Sequence, residues 1–486
     1  MYRKREIILL VFLLVIAVFF ATYKLTESPG VWYDEGMYMQ SAANMKDGYG
    51  PNFRFAPNDI SPIPTLTVGF PLIYLLAIVF KIFGTSVLAA RSLMIFFIFG
   101  LAVSSYLLVR KRWGSIVALG SLALLITFPP LYGNGKSVLG EVPALFFMAI
   151  SLLSLQYALR QDSRSKLGII LAGFFAGISA VTKLNFLVFL PSFGLIVLWQ
   201  CYKKRLSKKY VALAGLFSSL SVMVWGYVQY RSLDSINTLL NFYKNPSAND
   251  SLLAVVKTNL LNFFTEAGPL YLLIMMVIWI VAIIIRRLKK ENLSAEETIS
   301  FVFCVLIFLA YLRITGWHRY IFPAQIVALW YLTPSFQTCS DWFAEKIKYK
   351  KISNYIQRVG TLVVVCLLCL WGVYGVLFDS WVATAYQSDK TAFWENYFKK
   401  ILPETSFFFY DSPEVAMFSL SPNYYQYMPL LAGGGPFGAE YLEVIEKGGV
   451  DKIVVRSDHL GWKQDWFLKH YKVEREVYKY SILIKK

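Results

Sequence analysis

Charge is scarce in this 486-residue chain. Asp, Glu, Lys and Arg make up only 16% of it, against about 25% in soluble domains. What charge there is comes in clusters between long uncharged runs, which excludes an ordinary soluble domain. Histidine is scarcer still: His318, His459 and His470 are too scattered to spell a metal signature. None of the five cysteines (Cys201, Cys304, Cys339, Cys366, Cys369) falls in a segment expected outside the membrane. No disulfide framework is therefore expected. Cys366 and Cys369 have C-x-x-C spacing but lie within an apolar run, which argues against redox or metal use. No inverted repeat is evident. A phosphate loop is also missing, because Gly433-Gly434-Gly435-Pro436 has no Lys-Ser/Thr after it and reads as a plain loop.

What the chain has is apolar surface. Apolar residues make up 57% and aromatic residues 17%, and the mean hydropathy is +0.51. That is the composition of a polytopic α-helical membrane protein. The formal charge of +18 does not imply a nucleic-acid partner, because the basic clusters sit between apolar runs, as cytoplasmic loops do. Ile7 to Tyr23 follows Arg3, Lys4 and Arg5 but lacks a small-residue cleavage site, so it reads as a retained first span.

A span needs about 20 apolar residues. Eleven candidates result: 7–23, 88–109, 115–131, 141–159, 167–182, 184–200, 211–230, 268–286, 298–314, 319–336 and 360–378. With the N-terminus inside, every rich basic cluster becomes cytoplasmic. These are Arg110-Lys111-Arg112; Arg160, Arg164 and Lys166; Lys203 to Lys209; Arg286 to Lys290; and Lys346 to Arg358. The same rule keeps residues 67–83 from crossing, so that stretch, with Pro71 and Lys81, is expected as a juxtamembrane or re-entrant helix. It also places Lys183 at an outer hairpin. Residues 1–378 would form the membrane domain, with long outer loops at 24–87 and 231–267. Residues 379–486 would form a small extracytoplasmic α/β domain, with strand-like runs at Phe407–Tyr410, Ile453–Val455 and Val477–Ile484 and helical patterns near 439–447 and 462–471. The run Tyr424, Tyr425, Tyr427 is given no role.

The chemistry-bearing residues gather on the outer side. Trp32-Tyr33-Asp34-Glu35 follows the first span. As plain structure, Asp34 would cap a helix reaching about Met45 and Glu35 would favour its first turn. As function, a carboxylate at the membrane interface suits a general base. Glu141 opens a span from the outer side and must face protein or water; Lys136 is close by. Lys183, Arg313, His318 and Arg319 are the scarce cations of that face, either snorkelling anchors or a binding set for lipid phosphate.

These residues carry a resemblance. The chain resembles the membrane glycosyltransferases of the GT-C superfamily, in the branch of the protein O-mannosyltransferases and the lipid A aminoarabinose transferase, over residues 7–330. Trp32-Tyr33-Asp34-Glu35 is similar to the family's acidic motif. Pro71-Leu72-Ile73-Tyr74, Phe83-Gly84 and Arg91 are similar to its juxtamembrane helix and next span. Glu141-Val142-Pro143 resembles the second acidic motif, and Thr182-Lys183 with His318-Arg319-Tyr320 resembles two later signatures. The resemblance implies a polyprenyl-phosphate-linked sugar donor, an extracytoplasmic acceptor and inverting transfer. Asp34 matches the base, Glu141 the second acid, and Arg91, Lys183 and Arg319 basic positions; Glu35, His318 and Lys136 complete the candidate set. Thr67-Val68-Gly69-Phe70 departs from relatives that carry an acid or His there, so no metal ligand is assigned, and a divalent metal stays open as a cofactor. The rival expectations are a transporter or lipid flippase, a double-displacement hydrolase and a subunit with a degenerate site.

Overall fold

The computed structural model describes residues 2–63, 66–159, 165–230, 234–237, 239, 251–314, 316–346, 359–380, 388–419, 422–429, 438–458 and 467–486. Helices occupy all eleven expected segments. Among the described residues six helices are long and apolar enough to cross a membrane: Lys4–Thr22, Val87–Trp113, Glu141–Ala158, Leu184–Tyr202, Lys208–Gln229 and Ala267–Leu288. A seventh arises if Ser115–Ile126 and Pro129–Lys136, bent by 62°, count as one span. The bend follows from Pro129 and Pro130, which restart the chain as a new helix.

We label the elements that build the site. Helix α1 is Tyr2–Thr22 and α2 is Tyr33–Lys46; strands β1 (Phe53–Ala56) and β2 (Asp59–Ser61) pair antiparallel. Helix α3 is Phe70–Phe83, α4 Val87–Trp113, α5 Ser115–Ile126, α6 Pro129–Lys136, α7 Glu141–Ala158 and α8 Ser165–Thr182. The described part of the loop 24–87 thus folds into two helices and a strand pair. At 14 residues, α3 is shorter than a span and packs on α2, α4 and α8. The segment 231–267, expected as a loop, contains a helix, Leu252–Thr265.

The basic ends of the helices meet at one end of the bundle. Arg110 pairs with Glu6 at 2.5 Å, Arg112 donates to the Asn292 carbonyl at 3.1 Å, and Lys289 pairs with Glu345 at 2.6 Å. The first loop and the C-terminal sheet lie at the other end.

That sheet has the order β4-β3-β5-β7-β6. Its strands are β3 (Phe407–Tyr410), β4 (Tyr424–Tyr427), β5 (Lys452–Arg456), β6 (Tyr471–Val477) and β7 (Tyr480–Lys485). Strands β4, β3 and β5 run parallel, and β7 is antiparallel to β5. The run Val477–Ile484, read as one strand, is a hairpin that turns at Tyr478, whose φ is +55°. The tyrosine run at 424–427 is β4. Strand β3 is buried on both faces, as a central parallel strand should be. Phe407 and Phe409 join the large core with Trp394 and Phe398, while Phe408 and Tyr410 join a smaller core with Ile453 and Leu483. The expected helix near 439–447 appears as a 3-10 turn, Ala439–Tyr441, and a helix, Leu442–Glu446. Half of the one near 462–471, and the Gly433–Pro436 loop, lie outside the described residues.

Candidate active site

Helix α2 places the two carboxylates of the first motif in opposite environments. The residue before the helix is Trp32, in extended backbone, so the N-cap is Trp32 rather than Asp34. Glu35 completes the helix start by accepting from the Trp32 amide at 3.2 Å. The Glu35 side chain is then fully buried and takes two parallel hydrogen bonds from Arg91, at 2.9 Å from Nε and 2.8 Å from Nη2, with the Val138 amide at 3.3 Å. Arg91 spends Nη1 on the carbonyls of Leu25 and Pro29, both at 2.8 Å. Both side chains have no exposed surface. The fork ties α2 to α4 and to the end of the first span.

Asp34 points the other way. Its side chain is 22% exposed and accepts from Nη1 of Arg319 at 2.6 Å. Arg319 lies over the rings of Trp317 and Tyr320, at 4.9 and 5.4 Å, and its buried Nε has no hydrogen-bond partner. The loop delivering it is fixed by Asn259, whose amide donates to the carbonyls of Tyr311, Leu312 and Ile314 at 2.7 to 3.3 Å. Those are orphan carbonyls at the end of helix Ala295–Tyr311. Arg319 thus sits in the first turn of helix His318–Lys346 and faces Asp34 across 285 residues of sequence. His318 is half-buried beside it, with its ring on Gly268.

The second acid is built differently. Glu141 opens α7 after Gly140, whose φ of +92° favours glycine. A Cβ there would also come within 2.9 Å of Val68 and 3.3 Å of Lys183. Glu141 is fully buried, and neither carboxylate oxygen has a hydrogen-bond partner. Its nearest cation is Lys183, at 3.5 Å. That contact is a charge attraction without hydrogen-bond geometry, so acceptor capacity remains on Glu141.

Lys183 is held where backbone segments cross. Val68 and Lys183 form an antiparallel bridge, the Leu184 amide donates to the Thr67 carbonyl at 3.1 Å, and the Gly69 amide donates to the Thr182 carbonyl at 3.2 Å. The Lys183 ammonium then donates to the Thr67 hydroxyl at 3.0 Å and the Tyr38 hydroxyl at 3.4 Å, and those hydroxyls are 2.7 Å apart. Burial, with the charge of Asp34 second, pushes the Tyr38 phenol well above its ordinary value, so it is a neutral hydrogen-bonding group. Tyr38 and Thr67 were absent from the expected set. Tyr38 could have been found as the residue one turn after Asp34; nothing in the sequence pointed to Thr67 as a partner.

Six of the expected residues therefore fall in two arrangements that share α2. Asp34, Arg319, Glu141 and Lys183 gather with Tyr38 and Thr67, and the charges of Asp34 and Glu141 both act on Arg319. Glu35 belongs with Arg91 to the buried fork. Lys136 is buried and donates to the Tyr23 carbonyl at 2.6 Å, tying α6 to the end of α1. Among the described residues no group of three or more His, Cys, Asp or Glu comes together. Asp34 and Glu141 are each faced by a cation of the protein instead. That donor set is a poor fit for a divalent metal.

Comparison with known proteins bears on the fold. Residues 67–238 match the family model described as dolichyl-phosphate-mannose-protein mannosyltransferase. No curated protein matches by sequence. Among solved structures, ArnT from Cupriavidus metallidurans in the apo state aligns with a TM-score of 0.64 at 13% identity, covering 99% of this chain and 98% of that one. The same protein bound to undecaprenyl phosphate aligns at 0.59 and 13% identity, covering 97% of each chain. The oligosaccharyltransferase AglB from Archaeoglobus fulgidus, in complex with an inhibitory peptide and a dolichol-phosphate, aligns at 0.61 and 13% identity, covering 96% of this chain and 71% of that one. The chain thus has an ArnT-like GT-C membrane fold and resembles the glycosyltransferases of the O-mannosyltransferase and ArnT branch.

Proposed function

We propose that the protein is a glycosyltransferase that moves a sugar from a polyprenyl-phosphate donor to a hydroxyl acceptor on the non-cytoplasmic face, with inversion. The observation that carries this reading is the part-exposed Asp34 beside Arg319, with Glu141 and Lys183 in the same cluster. Asp34 is the general base that takes the acceptor proton as the hydroxyl attacks the anomeric carbon. The polyprenyl phosphate leaves with the bonding electron pair, and a lipid phosphate at neutral pH needs cations rather than a strong acid. Lys183 and Arg319 supply them, Arg319 through its unpartnered Nε. Glu141 orients the acceptor through its free lone pairs. Arg91 and Glu35 hold the frame, because their hydrogen-bonding groups are already engaged. The reading agrees with solved relatives of this fold that carry undecaprenyl phosphate or dolichol-phosphate.

The N-terminus and the basic helix ends would then be cytoplasmic, and residues 379–486 extracytoplasmic. The acceptor class follows from an experiment in cells lacking the gene. Complementation with wild type should restore the missing envelope sugar seen by mass spectrometry, and complementation with Asp34→Asn should not. Restoration by Asp34→Asn would overturn the assignment.

A further inference from the structure

Helix α2 has a third face that the proposed chemistry does not use. Tyr33, Gly36 and Gln40 lie at i, i+3 and i+7, so they share one side of the helix. All three meet the C-terminal sheet domain at one turn, Asp411-Ser412-Pro413-Glu414. At Gly36 the approach is backbone to backbone: a Cβ would lie 2.4 Å from the Glu414 Cα and 2.7 Å from the Pro413 carbonyl oxygen. Only glycine permits that distance. Gln40 donates to the Pro413 carbonyl at 2.8 Å, and its own oxygen accepts from Gln426 of β4 at 2.8 Å. Gln426 uses its second N–H on the Arg54 carbonyl of β1, at 2.7 Å. The buried Tyr33 hydroxyl is turned toward Asp411 and Glu414.

The turn is itself fixed to the sheet. It leaves the carboxyl end of β3, where Asp411 takes a left-handed φ of +51° and its amide donates to the Tyr427 carbonyl at 2.8 Å. Asp tolerates that conformation better than most residues. Ser412 donates to the Val454 carbonyl of β5 at 3.3 Å. Glu414 is 1% exposed, accepts from Tyr480 of β7 and pairs with Lys479 at 3.3 Å. Four strands, β4, β3, β5 and β7, thus hold one turn, and that turn holds the helix carrying Asp34.

We infer that the C-terminal sheet domain is a positioning module for the base: its Asp411–Glu414 turn sets the place and angle of Asp34 by gripping α2 through Tyr33, Gly36 and Gln40. Placement of a base to well under 1 Å is what such a grip supplies, and a shift of about 1 Å costs on the order of a hundredfold in rate. The inference rests on Asp34 being the base, so its test has an arm independent of transfer.

The test compares the full-length protein in lipid nanodiscs with Gln40→Ala, Gln426→Ala and Gly36→Ala. Hydrogen exchange of the Met37–Ser41 amides is read first. It should quicken at least tenfold in Gln40→Ala and Gln426→Ala, with the melting temperature and the binding of undecaprenyl phosphate unchanged. The transfer rate is read in the same variants. The kcat should fall tenfold or more at constant donor KM, and the Gln40→Ala, Gln426→Ala double variant should lose little beyond either single one, because both break one chain of hydrogen bonds. Gly36→Ala should be the most severe; if it fails to fold, the glutamine variants decide. Unchanged exchange would overturn the inference, as would quicker exchange with an undiminished kcat. If wild type transfers no sugar, the functional reading fails, and the exchange arm alone decides whether the turn grips α2.

Discussion

Glu35 and Arg91 form a two-pronged ion pair with both side chains sealed from solvent, one residue away from the part-exposed Asp34. Adjacent acids on one helix therefore do separate work. The fork fixes the helix against α4, so the neighbouring carboxylate is held beside Arg319.

Loss of either partner of this fork should damage folding rather than chemistry. Arg91→Met or Glu35→Leu leaves a buried charge unpaired, at a cost of about 3–5 kcal/mol. Each single variant should melt well below wild type in detergent. The double variant should recover part of that loss, because it removes both charges. A double variant worse than the sum of the two singles would contradict the structural role.

Arg319 and Lys183 should report on the donor phosphate. Lys183→Ala should weaken undecaprenyl phosphate binding about tenfold to a hundredfold, the worth of one charge-assisted hydrogen bond. Arg319→Lys should also weaken it, since lysine lacks the planar fork and the stacking on Trp317 and Tyr320. Titration by fluorescence quenching in nanodiscs checks both. Unchanged affinity in Lys183→Ala would remove that residue from the phosphate site.

How far the site was legible in the sequence depends on the residue. The helix positions and the loop-end cluster of Asp34, Glu141, Lys183 and Arg319 were readable, because apolar runs and basic loops fix which residues share a face. The split between Asp34 and Glu35 was not. It depends on Arg91, 56 residues away, and on which side of α2 each acid takes. Arg91 itself read as a basic residue of the site, yet its donors meet Glu35 and two carbonyls that no local pattern reveals. The strand at Tyr424–Tyr427 was missed because it lies at the edge of the sheet yet is buried along nearly its whole length, so it has no polar alternation to mark it. The eleven apolar segments all became helices, but several are shorter than a span, since breaks such as Pro129-Pro130 are tolerated inside a packed bundle.

Lys390 should make stability depend on pH in the alkaline range. It is 6% exposed, against Tyr480, and faces Lys479, Glu414 and Arg456. Burial, with the charge of Lys479 second, pulls its ammonium down to about 8. Between that value and the ordinary one near 10.5, the unfolded chain holds a proton that native Lys390 has released. Stability from this group therefore rises with pH across that window. Near and above pH 10 the effect reverses, because burial pushes the phenols of Tyr33 and Tyr480 up, and they keep protons that unfolded tyrosines lose. The melting temperature of Lys390→Met should exceed that of wild type at pH 7, and the gap should narrow by pH 9.5. A gap that stays constant would contradict the account.

The most direct test of the central claim is single-turnover sugar transfer by Asp34→Asn, measured beside its binding of undecaprenyl phosphate. If Asp34 is the base, the rate falls by about 10²–10⁴-fold, while donor affinity and melting temperature stay at wild-type values. A transfer rate within a few-fold of wild type would contradict it.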